Sequence, residues 1–280
     1  MSVRIIVDST ADMSADVKEK LTVVPLTIVF GAEEFIDGVT ITHKEFYEKL
    51  IEGDDLPSTS QATPASFAGV FEEAVQAGDQ AVVLTVSSKL SGTYQSALIA
   101  AEEYQDSIYV VDTKSVAVGS GILAELALKL SEKGLSAESI AKQITKEREH
   151  VHVIALLDTL EYLMRGGRIS RTAAIAGGLL NIKPVIAIRN GVIETLGKAR
   201  GSKQGNNLLV QEIEKAGGVD FSKPVLLGYT GLSDILLKKY IEDSKALWEG
   251  NLEEIRYTSV GSVIGTHAGP GAVAVAFFRK

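Results

Sequence analysis

The chain has 280 residues, a formal net charge of −8 and no cysteine. Without thiols there is no disulfide framework, thiol nucleophile or thiolate metal site, and scattered cations on an acidic chain argue against nucleic acid or an anionic membrane as main partner. No apolar run nears the roughly 20 residues of a bilayer span, and the start MSVRIIVDSTAD lacks a leader pattern, so a soluble, cytoplasmic protein of about two domains is expected.

Strand and helix patterns alternate from the start, which predicts an α/β protein. Arg4–Val7 is predicted as a strand ending in Asp8-Ser9-Thr10, Ala15–Leu21 as a short helix and Val23–Phe30 as one further strand. Thr42–Ile51 is predicted as a helix whose cap, Thr42, has Glu45 three residues on, a capping box. Pro64 opens a helix, since proline is tolerated in a first turn. Ala81–Val86 (strand), Ser91–Tyr104 (helix), Ile108–Val111 (strand) and Gly119–Lys133 (helix) complete a parallel sheet with helices on its faces.

The second half changes pattern. Val151–Leu157 is predicted as a strand, Thr159–Met164 as a short helix stopped by Gly166-Gly167, and Ala173–Leu180 as a helix of small residues. Pro184–Arg189 and Val192–Leu196 flank Asn190-Gly191, a strong hairpin signal. Two more helices around Val225–Tyr229 and a last strand, Ala272–Phe278, follow. An antiparallel α+β sandwich over 151–280, joined to a parallel α/β domain over 1–150, is expected.

Short polar residues and glycines gather in four places near predicted element ends, where open α/β sheets bind ligands. Asp8-Ser9-Thr10 fits a turn and cap as well as a site. Around Ser87–Tyr94 a strand gives way to a helix with Ser91 at the cap; a helix start favours an anion, and a serine hydroxyl can donate to one. An ordinary N-cap is the alternative. Pro57-Ser58-Thr59-Ser60-Gln61 forms a donor-rich loop. In Thr266-His267-Ala268-Gly269-Pro270-Gly271, His267 fits an anion donor, an acid–base group or a buried structural histidine.

His43, His150 and His152 are expected on the surface, and no histidine pair has metal-ligand spacing with carboxylates, so no metal site is predicted. No GxGxxG follows a strand and no GxxxxGK[ST] occurs. The nearest approach to a GxSxG elbow, Lys89–Thr93, lacks the flanking glycines. Gly177-Gly178 inside the helix Ala173–Leu180 costs up to about 1 kcal/mol per glycine. That suits either a closely packed helix or room for an apolar ligand at Ala173, Ala176, Gly177 and Leu180. An acyl tail of ~15 methylenes is worth roughly 12 kcal/mol gross, against association costs of roughly 4–15 kcal/mol. Lys198–Lys203 concentrates cations after the hairpin, either as a solvated basic turn or as a partner-docking face centred on Arg200.

Asp8–Asp12, Thr59-Ser60-Gln61, Ser87–Tyr94, Gly166-Gly167-Arg168-Ile169-Ser170 and Thr266–Gly271, in this order, resemble the DegV family, the fatty-acid-binding subunits of bacterial fatty acid kinase. The resemblance implies two α/β domains with a long-chain fatty acid between them. It implies carboxylate contacts from Thr59, Ser91 and His267, with Ser60, Gly92, Thr93 and Arg168 supporting. It further implies a binding subunit without turnover or cofactor of its own, which presents its ligand to a separate ATP-dependent kinase for acyl phosphate formation in phospholipid metabolism. One departure is Ala62, where many members carry proline after the TSQ triplet. The alternatives are an enzyme using Ser91 and His267, and a lipid carrier with no kinase partner.

Overall fold

A computed structural model describes residues 2–53, 55–170 and 182–280. The predicted helix Ala173–Leu180, with its acyl-tail positions Ala173, Ala176, Gly177 and Leu180, lies outside the described residues.

Alternating burial builds the first sheet. In β1 (Val3–Asp8), Ile5 and Val7 enter one core and Ile6 the other, so both faces are covered. β1 pairs in parallel with β2 (Thr22–Val24) and β6 (Gln80–Thr85), and β6 with β7 (Ile108–Asp112), giving the order β2-β1-β6-β7. Helices Val118–Glu132 and Ala137–Glu147 cover one face; His43–Glu52, Pro64–Gln76 and Thr93–Ala101 cover the other. The capping box is present, with the Glu45 amide donating to Thr42 Oγ1 at 3.2 Å and the Thr42 amide to Glu45 Oε2 at 2.8 Å.

The single strand predicted over Val23–Phe30 is two strands in two sheets. β2 ends at Val24, and β3 (Thr27–Phe30) joins β4 (Glu33–Ile36) and β5 (Ser58–Ser60) in a small antiparallel sheet of order β4-β3-β5. Pro25, which has no N–H for a ladder, stands at the break; the Leu26 amide donates instead to Ser9 Oγ at 3.1 Å. The helix predicted over Ala15–Leu21 is a single turn, Ala15–Lys18. Helix Ala137–Glu147, absent from the predicted elements, fills the stretch before residue 150.

The second half forms a six-stranded sheet of order β10-β9-β8-β13-β11-β12, from β8 (Val151–Leu156), β9 (Ile182–Arg189), β10 (Val192–Arg200), β11 (Leu226–Tyr229), β12 (Tyr257–Ser259) and β13 (Val273–Phe278). All its pairs are antiparallel except β11 with β12. Asn190 and Gly191 take the predicted tight turn, with φ of 50° and 81°. β10 continues to Arg200, and helix Gly201–Lys215 starts at the next residue, so Lys198–Lys203 is a strand-to-helix junction rather than a free turn. Helices Gly201–Lys215 and Ile235–Asp243 cover the outer face through Leu209, Ile213 and Leu237. Among the described residues no helix is long and apolar enough to cross a membrane.

Candidate functional site

The inner face of the six-stranded sheet carries Val153 and Ala155 from β8, Ile186 and Ile188 from β9, and Ala274 from β13. Small side chains at Ala155, Ala272 and Ala274 leave space between this face and the carboxyl ends of β1 and β6, where Thr10 and Val86 stand. The resulting cavity holds about 950 Å³ of empty space, counting its mouth and the solvent there. Its described lining is apolar except for Thr10, Thr59, Gln61, Ser91, Arg168, Thr230 and His267.

The polar groups arrive from four distant segments. Thr59 sits mid-strand in β5, and the two-residue period turns it inward while Ser58 and Ser60 stay exposed; the stretch predicted as a loop is an edge strand, and Ser60 is not in the cavity. His267 lies in the last turn of a helix, Ser262–Ala268, which was not among the predicted elements. Thr59 Oγ1 and His267 Nε2 are 3.0 Å apart. Burial, and then the charge of Arg168, push the His267 pKa down to about 4, so the ring is neutral at pH 7. Its Nδ1 is buried without a hydrogen-bond partner among the described residues. A methyl at Gly166 would lie 2.2 Å from Nδ1, so a Cα hydrogen of this glycine points at that nitrogen.

The N-cap of helix Thr93–Ala101 is Gly92, not Ser91, and it offers no side-chain cap. Ser91 Oγ accepts instead from the Thr93 amide at 3.3 Å and lies 2.9 Å from Thr93 Oγ1, with Thr93 fully buried. A Cβ on Gly92 would lie 2.0 Å from Gln61 Oε1; glycine is what lets Gln61 fold over the helix start, where its Nε2 donates to Ser96 Oγ at 2.8 Å. Arg168 donates from Nε to the Leu90 carbonyl at 3.1 Å and from Nη1 to the Gly166 carbonyl at 2.6 Å, which ties the Ser91 loop to the residue packed on His267. It is half-buried, which lowers its pKa, and no carboxylate pairs with it among the described residues. Upstream, Asp8 is buried and accepts from the Thr10 amide at 2.9 Å and the Val86 amide at 2.7 Å, clamping the ends of β1 and β6 together.

The structure thus brings Thr59, Ser91, Arg168 and His267 to one cavity, with Gly92 and Thr93 behind Ser91; Arg200 is exposed and does not line it. Ser91 is engaged with Thr93 and His267 with Thr59, and no hydrogen bond joins Ser91 to His267. Gln61, Gly166 and Thr230 were not singled out as site residues; the stretches Thr59–Gln61 and Gly166–Ser170 gave a signal for the first two, and Thr230 gave none. The expectation that the remaining histidines are surface residues is corrected: His43, His150 and His152 are all partly buried, and His152 stacks on Phe277 with ring centres 5.5 Å apart.

A family model described as "Uncharacterised protein, DegV family" matches residues 2–280. The chain belongs to the DegV family. A DegV domain-containing protein of Caldanaerobacter subterraneus subsp. tengcongensis is 35% identical over 283 residues, 99% of each chain. A Thermus thermophilus DegV family protein, solved in a study of its fatty acid binding, superposes with a TM-score of 0.88 at 32% identity over 100% of both chains. The fatty acid kinase B3 protein of Streptococcus pneumoniae, solved with linoleic acid, shares the DegV fold at a TM-score of 0.87 and 23% identity over 100% of both chains.

Proposed function

We propose that this DegV chain binds one long-chain fatty acid, with its tail on the inner face of the six-stranded sheet and its carboxylate at Thr59 and Ser91, where His267 stands behind Thr59 and orients its hydroxyl. The observation that carries the reading is an apolar cavity lined by hydroxyls, a neutral imidazole and, among the described residues, a single cationic side chain, Arg168. The tail supplies area and the head group supplies orientation.

The direction of the hydrogen bonds follows from burial. An N–H at Nδ1 would point into the Gly166 Cα–H, whereas a bare lone pair is tolerated there. The proton then sits on Nε2, which donates to Thr59 Oγ1 and leaves the threonine hydroxyl hydrogen free for the ligand. Thr93 is fully buried, so in this reading its hydroxyl hydrogen goes to Ser91 Oγ, and Ser91 turns its own hydrogen to the carboxylate. With Ser91 and His267 bonded to Thr93 and Thr59, neither is set up as nucleophile or base. The chain acts in this reading as a cytoplasmic carrier without turnover, working as two units joined near residue 150, and presents the carboxylate to a separate ATP-dependent kinase. Arg200, exposed at the end of β10, serves the docking of that kinase by steering its approach.

Organic extraction of the purified chain followed by mass spectrometry should recover about one fatty acid per chain; a nucleotide or sugar phosphate in its place refutes the reading. ATP added to the loaded chain should give acyl phosphate only when the kinase is present.

A further inference from the structure

A second cavity opens on the other side of the loop that follows β1. Thr10 faces the apolar cavity, whereas Ser9 and Asp12 face this one, together with Lys18, Asp37, His43 and Thr258. It holds about 840 Å³ of empty space including its mouth. At its floor stand two carboxyl groups, Asp12 at 5% and Asp37 at 4% exposure. Asp12 Oδ1 accepts from the Gly261 amide at 2.7 Å, but Asp12 Oδ2 and Asp37 Oδ1 are buried with no hydrogen-bond partner among the described residues. Neither aspartate is in an ion pair among those residues, and Lys18 is exposed at the rim.

A buried carboxylate offers acceptors only, and it is costly when these go unmatched. The lining therefore selects a guest that brings several donors and a positive charge. Among the described residues no group of three or more His, Asp or Glu side chains is placed to hold a metal ion, and the unpartnered oxygens suit the N–H donors of an organic cation. Ammonium carries three N–H donors and guanidinium five. Burial pushes both aspartates above the usual carboxylate range, Asp12 strongly, and a cation beside them offsets that cost.

We propose that this second cavity binds a free small amine or guanidine through Asp12 and Asp37, independently of the fatty acid. Such a ligand fits where Asp12 Oδ2 and Asp37 Oδ1 are the acceptors and His43, Ser9 and Thr258 line the approach.

The test is titration calorimetry and amide NMR on the full, fatty-acid-loaded chain. The probes are putrescine, agmatine and methylguanidinium, with choline as a cation lacking N–H donors and Mg²⁺ as a metal. Saturable binding of at least one N–H cation is expected, with shifts at Ser9 and Thr258 and none at Thr59 or Ser91. Asp12→Asn and Asp37→Asn should each weaken it at least about tenfold, by loss of a charged hydrogen-bond partner. Lys18→Met, on an exposed position that leaves the fold intact, should tighten it by removing a like charge. Absence of saturable binding, equal binding of choline, tighter binding of Mg²⁺, or indifference to both aspartate and lysine variants would each overturn the proposal. Should Asp12→Asn fail to fold, Asp37→Asn and Lys18→Met decide the matter.

Discussion

The two cavities share a wall and differ in what they leave unpaired. Residues 9–12 and 258–263 separate them: Thr10, Val260 and Val263 face the apolar cavity, and Ser9, Asp12, Thr258 and Ser259 face the polar one. On the first side the polar groups are hydroxyls, a neutral imidazole and Arg168, and on the second they include carboxylate oxygens with no hydrogen-bond partner among the described residues. The net charge of −8 predicts neither preference. Local burial sets the sign of the ligand that each side suits, and alternate residues of one short loop are enough to divide the two.

Acidity separates them most sharply. His267 has a folded pKa of about 4 against 6.5 for the free side chain, so the unfolded chain binds more protons between these values. Its contribution is complete above pH 6.5 and falls as pH drops, by about 3 kcal/mol at pH 4. Asp12 works in the opposite sense: its pKa is raised in the fold, so its contribution is greatest below the free value of 3.8 and is lost as pH rises. In urea melts from pH 4 to 8, His267→Ala should therefore flatten the acid side of the stability profile. Asp12→Asn should gain on the parent as pH rises. Shifts in the same sense for both variants would erase the contrast.

Next in size are the head-group hydroxyls. Ser91→Ala and Thr59→Val should each weaken fatty-acid binding by roughly 1.5–3 kcal/mol, about 10–150-fold, by removing a hydrogen bond to a charged group. Ser60→Ala, on the outward face of the same strand, should bind as the parent does. Equal losses at positions 59 and 60 would mean that the carboxylate sits elsewhere. A structural effect of roughly 1–2 kcal/mol is expected for Gly191→Ala, because φ is +81° and a Cβ there would lie 2.5 Å from Ser87 Oγ, which donates to the Gly191 carbonyl at 2.7 Å. A thermal melt checks it, and an unchanged midpoint would free the hairpin tip from the Ser91 loop. Smallest of all, Arg200→Ala should leave binding within about 0.5 kcal/mol, as for other surface substitutions, while slowing acyl phosphate formation by the kinase.

Local chemistry made part of this legible in the sequence. The Thr42–Glu45 capping box, Pro64 at a helix start and the Asn190-Gly191 turn are determined within a few residues, and they stand as predicted. The alternating blocks predicted a parallel sheet followed by an antiparallel one, as observed. The failures share a cause. β5 has no apolar alternation and exists because it pairs with β3, Thr59 opposite Ile28. Helix Ser262–Ala268 is two turns long and held by tertiary contacts, since so short a helix is marginal alone. The contact between Thr59 and His267 spans 208 positions, and that between Asp12 and Gly261 spans 249. No local pattern encodes such pairings, so the second cavity left no trace in the sequence.

The position of β13 bears on how the chain is made. It comes last of the described strands in chain order, yet it lies inside the sheet, between β8 and β11, with Ala274 opposite both Ala155 and Gly228. Until residue 278 leaves the ribosome, β8 and β11 present open edges, a state prone to wrong pairing. Such distant strand pairing is also slow to form. Thr59 is synthesised early and must wait for His267, 208 positions further on. The contact between Thr59 and His267 therefore closes late in synthesis, long after the first sheet has been made.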